Sequence, residues 1–549
     1  MDTQRSALLI VFLFSLFMLW DGWQRQSQPP VAEAPVAAES QVAQSPGSQA
    51  PVPTLSSAAG AADVPPIAAA VAQKAATRVV TDLFAADVSA EGGSLIRLEL
   101  LKHRAGPDSA GNFVLLDNGT EHLYHAQSGL IGEGLPTHKT TFQLPEGEIR
   151  LADGQDKVEL RMTAPGPAGV TVTKVLVFRR GSYQIDTVYE IANESGEPVS
   201  AHAYFQVLRD GIEISTGTSM LSTFTGPAFY TEEGKYQKVH FDDINKGKAK
   251  FVSKATDGWV ALVQHYFVTA FVPAPGTERE FFARKVGDNL YTAGVVVPMP
   301  VAEPGASSSI DVPLYTGPQI QSSLLALAPG LDRVVDYGWL TIIASPMHWV
   351  LEKLHGLVGN WGWAIILLTV LLKALFFPLS AASYRSMAKL RLVTPRMQKI
   401  KELHGGDRVR MQQEMMQLYK TEKINPLGGC LPIVIQIPVF IALYWVLLGS
   451  VEMRNAPWIG WITDLSVKDP FFVMPVIMGI TMFVQTKLNP TPPDPIQAKV
   501  MLFLPVVFTG MFLFFPAGLV LYWTVNNILS IAQQWQITRT IEGEKAKTA

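Results

Sequence analysis

One cysteine, Cys430, stands among 549 residues. A lone cysteine excludes an internal disulfide framework and any metal site built from several thiolates. It closes the tetrapeptide Leu427-Gly428-Gly429-Cys430, which looks like a lipoprotein processing box. Such boxes act at the end of an N-terminal signal, so lipidation is not expected here. No P-loop pattern occurs, and nothing points to nucleotide hydrolysis. Charge is sparse as well: 17% of residues are charged and the formal net charge is −3, which argues against a chain built to bind nucleic acid. The histidines are scattered without metal or triad spacing, and the nearest pair, His122 and His125, suits surface or packing roles better than catalysis. No cofactor, no metal and no catalytic residue set is expected.

What the chain has in excess is apolar residues, 48% of the total, concentrated in one stretch near the N-terminus and several after about residue 339. The length suggests about three or four units. ALLIVFLFSLFMLW (7–20) follows Arg5 and ends in Trp20, Asp21, Gly22 and Trp23. A cleaved signal peptide is the plainer alternative, but tryptophans suit an interfacial anchor, so residues 1–23 are read as an uncleaved signal anchor. Residues 24–76, rich in Ala, Pro and Gln, are a disordered linker by composition. From 77 to 330 short β-type runs recur without helical periodicity, among them SLIRLELLKH (94–103) and KVELRM (157–162). KVLVFRR-GS-YQIDTVYEI (174–191) reads as two strands around a Gly-Ser turn. This is one all-β sandwich. Trp339, Trp349, Trp361 and Trp363 mark 331–360 as an amphipathic helix lying on the outer membrane face, the alternative being the start of a long, tilted crossing.

Five further spans are expected near 361–379, 430–448, 470–486, 500–515 and 517–534. Pro516 and Gly518 divide the last two into antiparallel helices. The fold class is therefore a polytopic α-helical membrane protein of six transmembrane helices, five forming the core, with a large extracytoplasmic β domain. In the 380–427 loop the lysines and arginines from Arg385 to Lys423 outnumber Glu402, Asp407, Glu414 and Glu422. By the positive-inside rule this loop is cytoplasmic and the balanced 451–469 loop is outside, placing both termini in the cytoplasm and the β domain in the periplasm of a Gram-negative bacterium. Residues 428–535 then hold the remaining spans and 536–549 a short cytoplasmic tail.

LLTVLLKALFFPLS (367–380) sets Lys373 inside an apolar run. A lysine at a span's centre costs ~3 kcal/mol; this one lies about 9 Å from the end of its span at ~1.5 Å per residue. Snorkelling of the ammonium to the headgroups is the plain reading. Thr369 shares its helix face, however, and other spans carry Gln436, Gln485, Tyr522, Thr524, Asn526 and Asn527. Tyr522 and Asn526 share a face, as do Asn526 and Ser530. Polar groups inside a bilayer face other helices or a watered cavity, and no intramembrane Asp or Glu is present to neutralise Lys373. A polar cavity whose anionic partner comes from another chain accounts for the set. The short runs 471–484 and 500–515 fall below a hydrocarbon core of roughly 30 Å and imply local thinning.

SYRSMAKLRLVTPRMQKIKELHGGDRVRMQQEMMQLYKTE (383–422) reads as two helices. Gly405-Gly406 closes the first, Asp407 caps the second, and Thr394-Pro395 kinks or restarts the first. Met387, Met397, Met411, Met415 and Met416 form an adaptable apolar surface for client contact, or else pair the two helices with each other.

INPLGGCLPIVIQIPVFIALYWVL (424–447), DPFFVMPVIMGITMFVQ (469–485), FPAGLVLYWTVNN (515–527) and VDYGWL (335–340) together resemble the YidC family of inner-membrane insertases, with relatives in mitochondrial inner and thylakoid membranes. The resemblance implies a non-enzymatic insertase and chaperone with a hydrophilic groove open to cytoplasm and lipid. It places the groove cation at Lys373 and further groove residues at Thr369 and Tyr522, to which the polar faces add Gln436 and Asn526. It implies a periplasmic supersandwich, a hairpin that receives substrate, and as partners nascent inner-membrane proteins, membrane lipids, the Sec translocon and the ribosome or signal recognition particle pathway. Relatives usually carry arginine where Lys373 stands, so charge is kept and the bidentate guanidinium fork is lost. A secondary transporter would also use a polar intramembrane site but predicts inverted repeats. A membrane-anchored periplasmic carbohydrate-active enzyme would need paired carboxylates in the β domain.

Overall fold

The computed structural model describes residues 76–106, 109, 111–119, 121–212, 223–404, 406–422, 431–489 and 495–548. The expected signal anchor (1–23), all but the last residue of the linker (24–76), Gly405 and Cys430 lie outside the described residues.

Alternation builds the β domain. Along Lys157–Pro165, Leu160, Met162 and Ala164 turn inward while Glu159, Arg161 and Thr163 face out, the period-two pattern of a strand with one dry face. Val170–Arg179 and Gln184–Asn193 pair antiparallel, Val170 opposite Asn193 and Phe178 opposite Ile185. The turn between them is the expected Gly-Ser turn, with Gly181 at φ +66°, a conformation glycine adopts without a Cβ penalty. These strands belong to an eight-stranded sheet that continues through Ser307–Pro318, Phe267–Phe271, Trp259–Gln264, Gly226–Thr231 and Lys235–Lys238. A ten-stranded sheet faces it, with Leu123–Ile131 and His202–Asp210 near its middle. Leu98, Leu116, Tyr124, Phe205 and Val295 of one sheet meet Leu160, Phe178, Tyr189, Ile191 and Phe271 of the other in one apolar core, and the Phe205 and Phe271 rings touch across it at 5.5 Å. The expected all-β sandwich is present.

Ten helices of the described residues follow or interrupt the strands. Two are short, α1 (Phe241–Asn245) and α2 (Gln321–Leu327). The others are α3 (Thr341–Val358), α4 (Trp361–Leu375), α5 (Phe377–His404), α6 (Arg408–Thr421), α7 (Leu431–Gly449), α8 (Val473–Leu488), α9 (Pro495–Phe512) and α10 (Ala517–Thr548). Helix α3 buries Ala344, Met347, His348 and Leu351, the spacing of one helical face. Its other side exposes Ile342, Trp349 and Leu357. An apolar face on each side is what a helix needs to rest on protein and lipid together.

The first core span, expected as one helix over 361–379, breaks at Phe376, and α4 and α5 meet at 66°. Pro378 explains the break: it has no N–H for the carbonyl of Ala374 and its ring collides with that carbonyl. Helix α5 then runs unbroken through Pro395, so Thr394-Pro395 does not restart it. Asp407 caps α6 as expected, accepting from the amides of Val409 and Arg410, each at 3.1 Å. Among the described residues no single helix is long and apolar enough to cross a membrane; α4 with Phe377–Leu390 passes jointly as a bent pair, and Gln436–Gly449, Val473–Leu488 and Ala498–Phe512 are shorter apolar helices. Helix α10 has the length, 32 residues, but carries Asn526, Asn527, Ser530, Gln533 and Gln534 in its buried face. Length and composition of these helices do not by themselves define six crossings.

The β domain is tied to the helical region at the end of α7. His265 Nε2 lies 3.0 Å from the Leu448 carbonyl oxygen. Arg454 donates to the Ala105 carbonyl at 3.0 Å, and its guanidinium stands 5.1 Å from the Phe113 ring and 5.5 Å from the Phe267 ring. Those rings stack on each other at 4.3 Å, so a cation–π contact adds to the hydrogen bond.

Candidate functional site

Helices α4, α5, α7 and α10 border a pocket lined by Thr369, Leu372, Lys373, Phe376, Leu379, Ser380, Gln436, Val439, Tyr522 and Asn526. All five residues expected in the groove thus border one space. Thr369 and Lys373 reach it from α4 because they stand one turn apart, and Tyr522 and Asn526 from α10 for the same reason. Gln436 completes it from α7, where a polar residue interrupts LPIVIQIPVF.

The polar groups are joined. Gln436 Nε2 donates to Asn526 Oδ1 at 2.5 Å. Lys373 Nζ donates to Ser530 Oγ at 2.7 Å. Thr369 is fully buried and returns its hydroxyl to its own helix, donating to the Ile365 carbonyl at 2.7 Å. No lining residue is acidic, and Lys373 has no ion pair among the described residues. The cavity therefore presents one cation among uncharged donors and acceptors, in surroundings where charge is weakly screened. It can attract an anionic or strongly polar group and has nothing that would cleave a bond. Ser530 was visible only as a neighbour of Asn526 on its helix face; its use by Lys373 needed the α4–α10 packing.

The five hairpin methionines do not form one surface. Met397 is 5% exposed and packs with Val393 in a small core that Leu390, Met415, Leu418 and Tyr419 close. Met416 is 50% exposed, and Met387 and Met411 are half-buried. Met397 and Met415 thus join the two hairpin helices, while Met416 remains outside.

In the β domain His122 Nδ1 sits 2.6 Å from Asp210 Oδ2, and His125 Nε2 lies 3.1 Å from Asn118 Oδ1. Burial pushes the His125 ring down to about 4, so it stays neutral. Among the described residues no cluster of three metal-binding side chains occurs.

A β sandwich is followed by apolar helices that border a polar, cationic pocket. Residues 76–350 match the family model described as the YidC periplasmic domain, and 353–545 match that of the 60Kd inner membrane protein. The chain is 61% identical over 550 residues to the membrane protein insertase YidC of Aromatoleum aromaticum, covering 100% of this chain and 99% of that one. It is 56% identical over 549 residues to the YidC of Dechloromonas aromatica, with the same coverage of 100% and 99%. A solved structure described as an active YidC insertase aligns at 18% identity and a TM-score of 0.39, over 82% of this chain and 90% of that one. This chain belongs to the YidC family of bacterial inner-membrane protein insertases, and it is not an enzyme.

Proposed function

We propose that the cavity around Lys373 is the groove through which this insertase passes the polar flank of a nascent membrane protein. The observation that carries this reading is the convergence of Lys373, Thr369, Gln436, Tyr522 and Asn526 on one space that no acid lines. A client's apolar helix gains nothing from a space lined by an ammonium and amides, so it partitions sideways into lipid. Its burial there, worth ~25 cal/mol per Å², supplies the driving force, and the groove lowers the barrier for the flank.

In this reading the chain crosses the inner membrane six times with both termini cytoplasmic, the β domain periplasmic and α3 on the outer surface. The clients are nascent membrane proteins, received first by the cytoplasmic hairpin of α5 and α6. The family resemblance supports work alongside the Sec translocon and delivery from the ribosome.

The test is insertion of a small two-span client with an acidic translocated tail by the purified chain in liposomes. Lys373→Glu should abolish insertion and Lys373→Arg should preserve it. Should Lys373→Ala and Lys373→Glu both insert as well as the parent, the ammonium is a snorkelling anchor and the groove reading fails.

A further inference from the structure

Ser530 of α10 is 2% exposed. A hydroxyl offers one donor and two acceptor lone pairs. The donor goes to the Asn526 carbonyl at 2.7 Å, and a lone pair accepts from the Lys373 ammonium at 2.7 Å. One buried oxygen thus joins the cation of α4 to the last helix.

We infer that Ser530 is a positioning residue that fixes where the Lys373 ammonium stands in the groove. The inference rests on the groove reading above. Without the anchor a lysine stem is long enough to carry its charge toward the headgroups. With it, one ammonium N–H is spent on Ser530 and the other two are left for a client's flank.

The test uses the full chain in liposomes and two clients that differ only in an acidic or a neutral translocated tail. The readout is the ratio of their insertion rates. Ser530→Ala should lower the acidic-to-neutral ratio about tenfold or more, the scale of one hydrogen bond to a charged group. Ser530→Thr, which keeps the hydroxyl, should preserve it. In a Lys373→Met background Ser530→Ala should change the ratio no further, because its effect runs through the ammonium. An equal loss for both clients, or a further fall of the ratio in that background, makes Ser530 a packing residue and overturns the inference. If Lys373→Met leaves the ratio untouched, the groove reading itself has failed, whatever Ser530 does. Should Ser530→Ala not fold, Ser530→Cys, close in size and a weaker acceptor, takes its place, and an unchanged ratio there overturns the inference.

Discussion

Gln436 Nε2 and Asn526 Oδ1 meet at 2.5 Å, joining α7 to α10 beside Lys373. The bond fixes the orientation of both amides, since one presents its nitrogen and the other its oxygen. It also keeps the cavity polar without adding charge. Asn526→Asp should therefore act on function before stability. It keeps the size of the side chain and an oxygen for Gln436, but sets a carboxylate in the same cavity as the lone ammonium. Insertion of an acidic-tailed client should fall about tenfold or more, a change of ~1.4 kcal/mol or above in barrier, with a smaller loss for a neutral tail. Equal losses for the two clients would mean that the charge of the cavity does not select the flank. Rates in liposomes with the two clients side by side measure this.

A second expectation concerns pH. Glu452 follows α7 in a short 3-10 turn whose Val451 enters the β-domain core, and its Oε2 is buried without a hydrogen-bond partner. Burial raises its pKa from 4.5 to about 7; a backbone hydrogen bond opposes this, and the charge of Glu352 adds to it. Tyr315 and Tyr337 feel its charge in turn. Because the folded state holds this proton more tightly than the unfolded chain, folding is favoured below about 4.5 and stability declines as pH rises toward about 7, then levels off. Glu452→Gln keeps the shape and removes the titration. It should flatten that slope and raise the Tm of the purified chain at pH 8 by about 2–5 °C. A lower Tm for the variant at pH 8 would show that the carboxylate is satisfied where it sits.

The features legible in the sequence are those that one element determines alone. Alternation along Lys157–Pro165 and the glycine at Gly181 announce strands and a turn without reference to the rest of the chain. Thr369 with Lys373, and Tyr522 with Asn526, announce a shared face by spacing. The end of α4 was not legible, because LKALFF is apolar on both sides of Lys373 and Pro378 acts backward on the carbonyl of Ala374. Nor was Ser530 as a partner of Lys373. A serine four residues after an asparagine gives a face, but only helix packing says which cation that face meets. The methionines of the hairpin were legible as apolar and helical, while their division between inside and outside depends on how α5 and α6 lean together.

Helix packing itself can be probed at Gly479 of α8. A Cβ built there would overlap Thr509 Oγ1 and come within 3.1 Å of Thr509 Cβ. Thr509 cannot simply swing aside, since its hydroxyl donates to the Pro505 carbonyl at 2.6 Å. Gly479→Ala should cost ~1–3 kcal/mol by overpacking, read as a lower Tm in detergent. Adding Thr509→Gly should recover most of that loss. If Gly479→Ala is neutral, α8 and α9 separate freely and their close approach holds nothing together.

The last expectation separates the two uses of methionine in the hairpin. Met397 and Met415 share the core that holds α5 against α6, and Arg396 reinforces it through Glu422 at 2.5 Å. Met416 stands half exposed one residue away from that core. A photoreactive residue at 416 should capture nascent membrane protein in cells, whereas one at 397 should yield little beyond contacts within the hairpin. Substitution should divide the same way. Met397→Asp places a charge in an apolar cluster and should open the hairpin to protease at concentrations the parent resists, because a buried unpaired charge costs several kcal/mol. Met416→Asp should leave the protease pattern intact and weaken client capture about two- to fivefold, a difference of under ~1 kcal/mol from one exposed apolar contact. Strong client capture from 397 would mean that α5 and α6 part during the reaction, with the client taking the place that Met415 occupies against Met397.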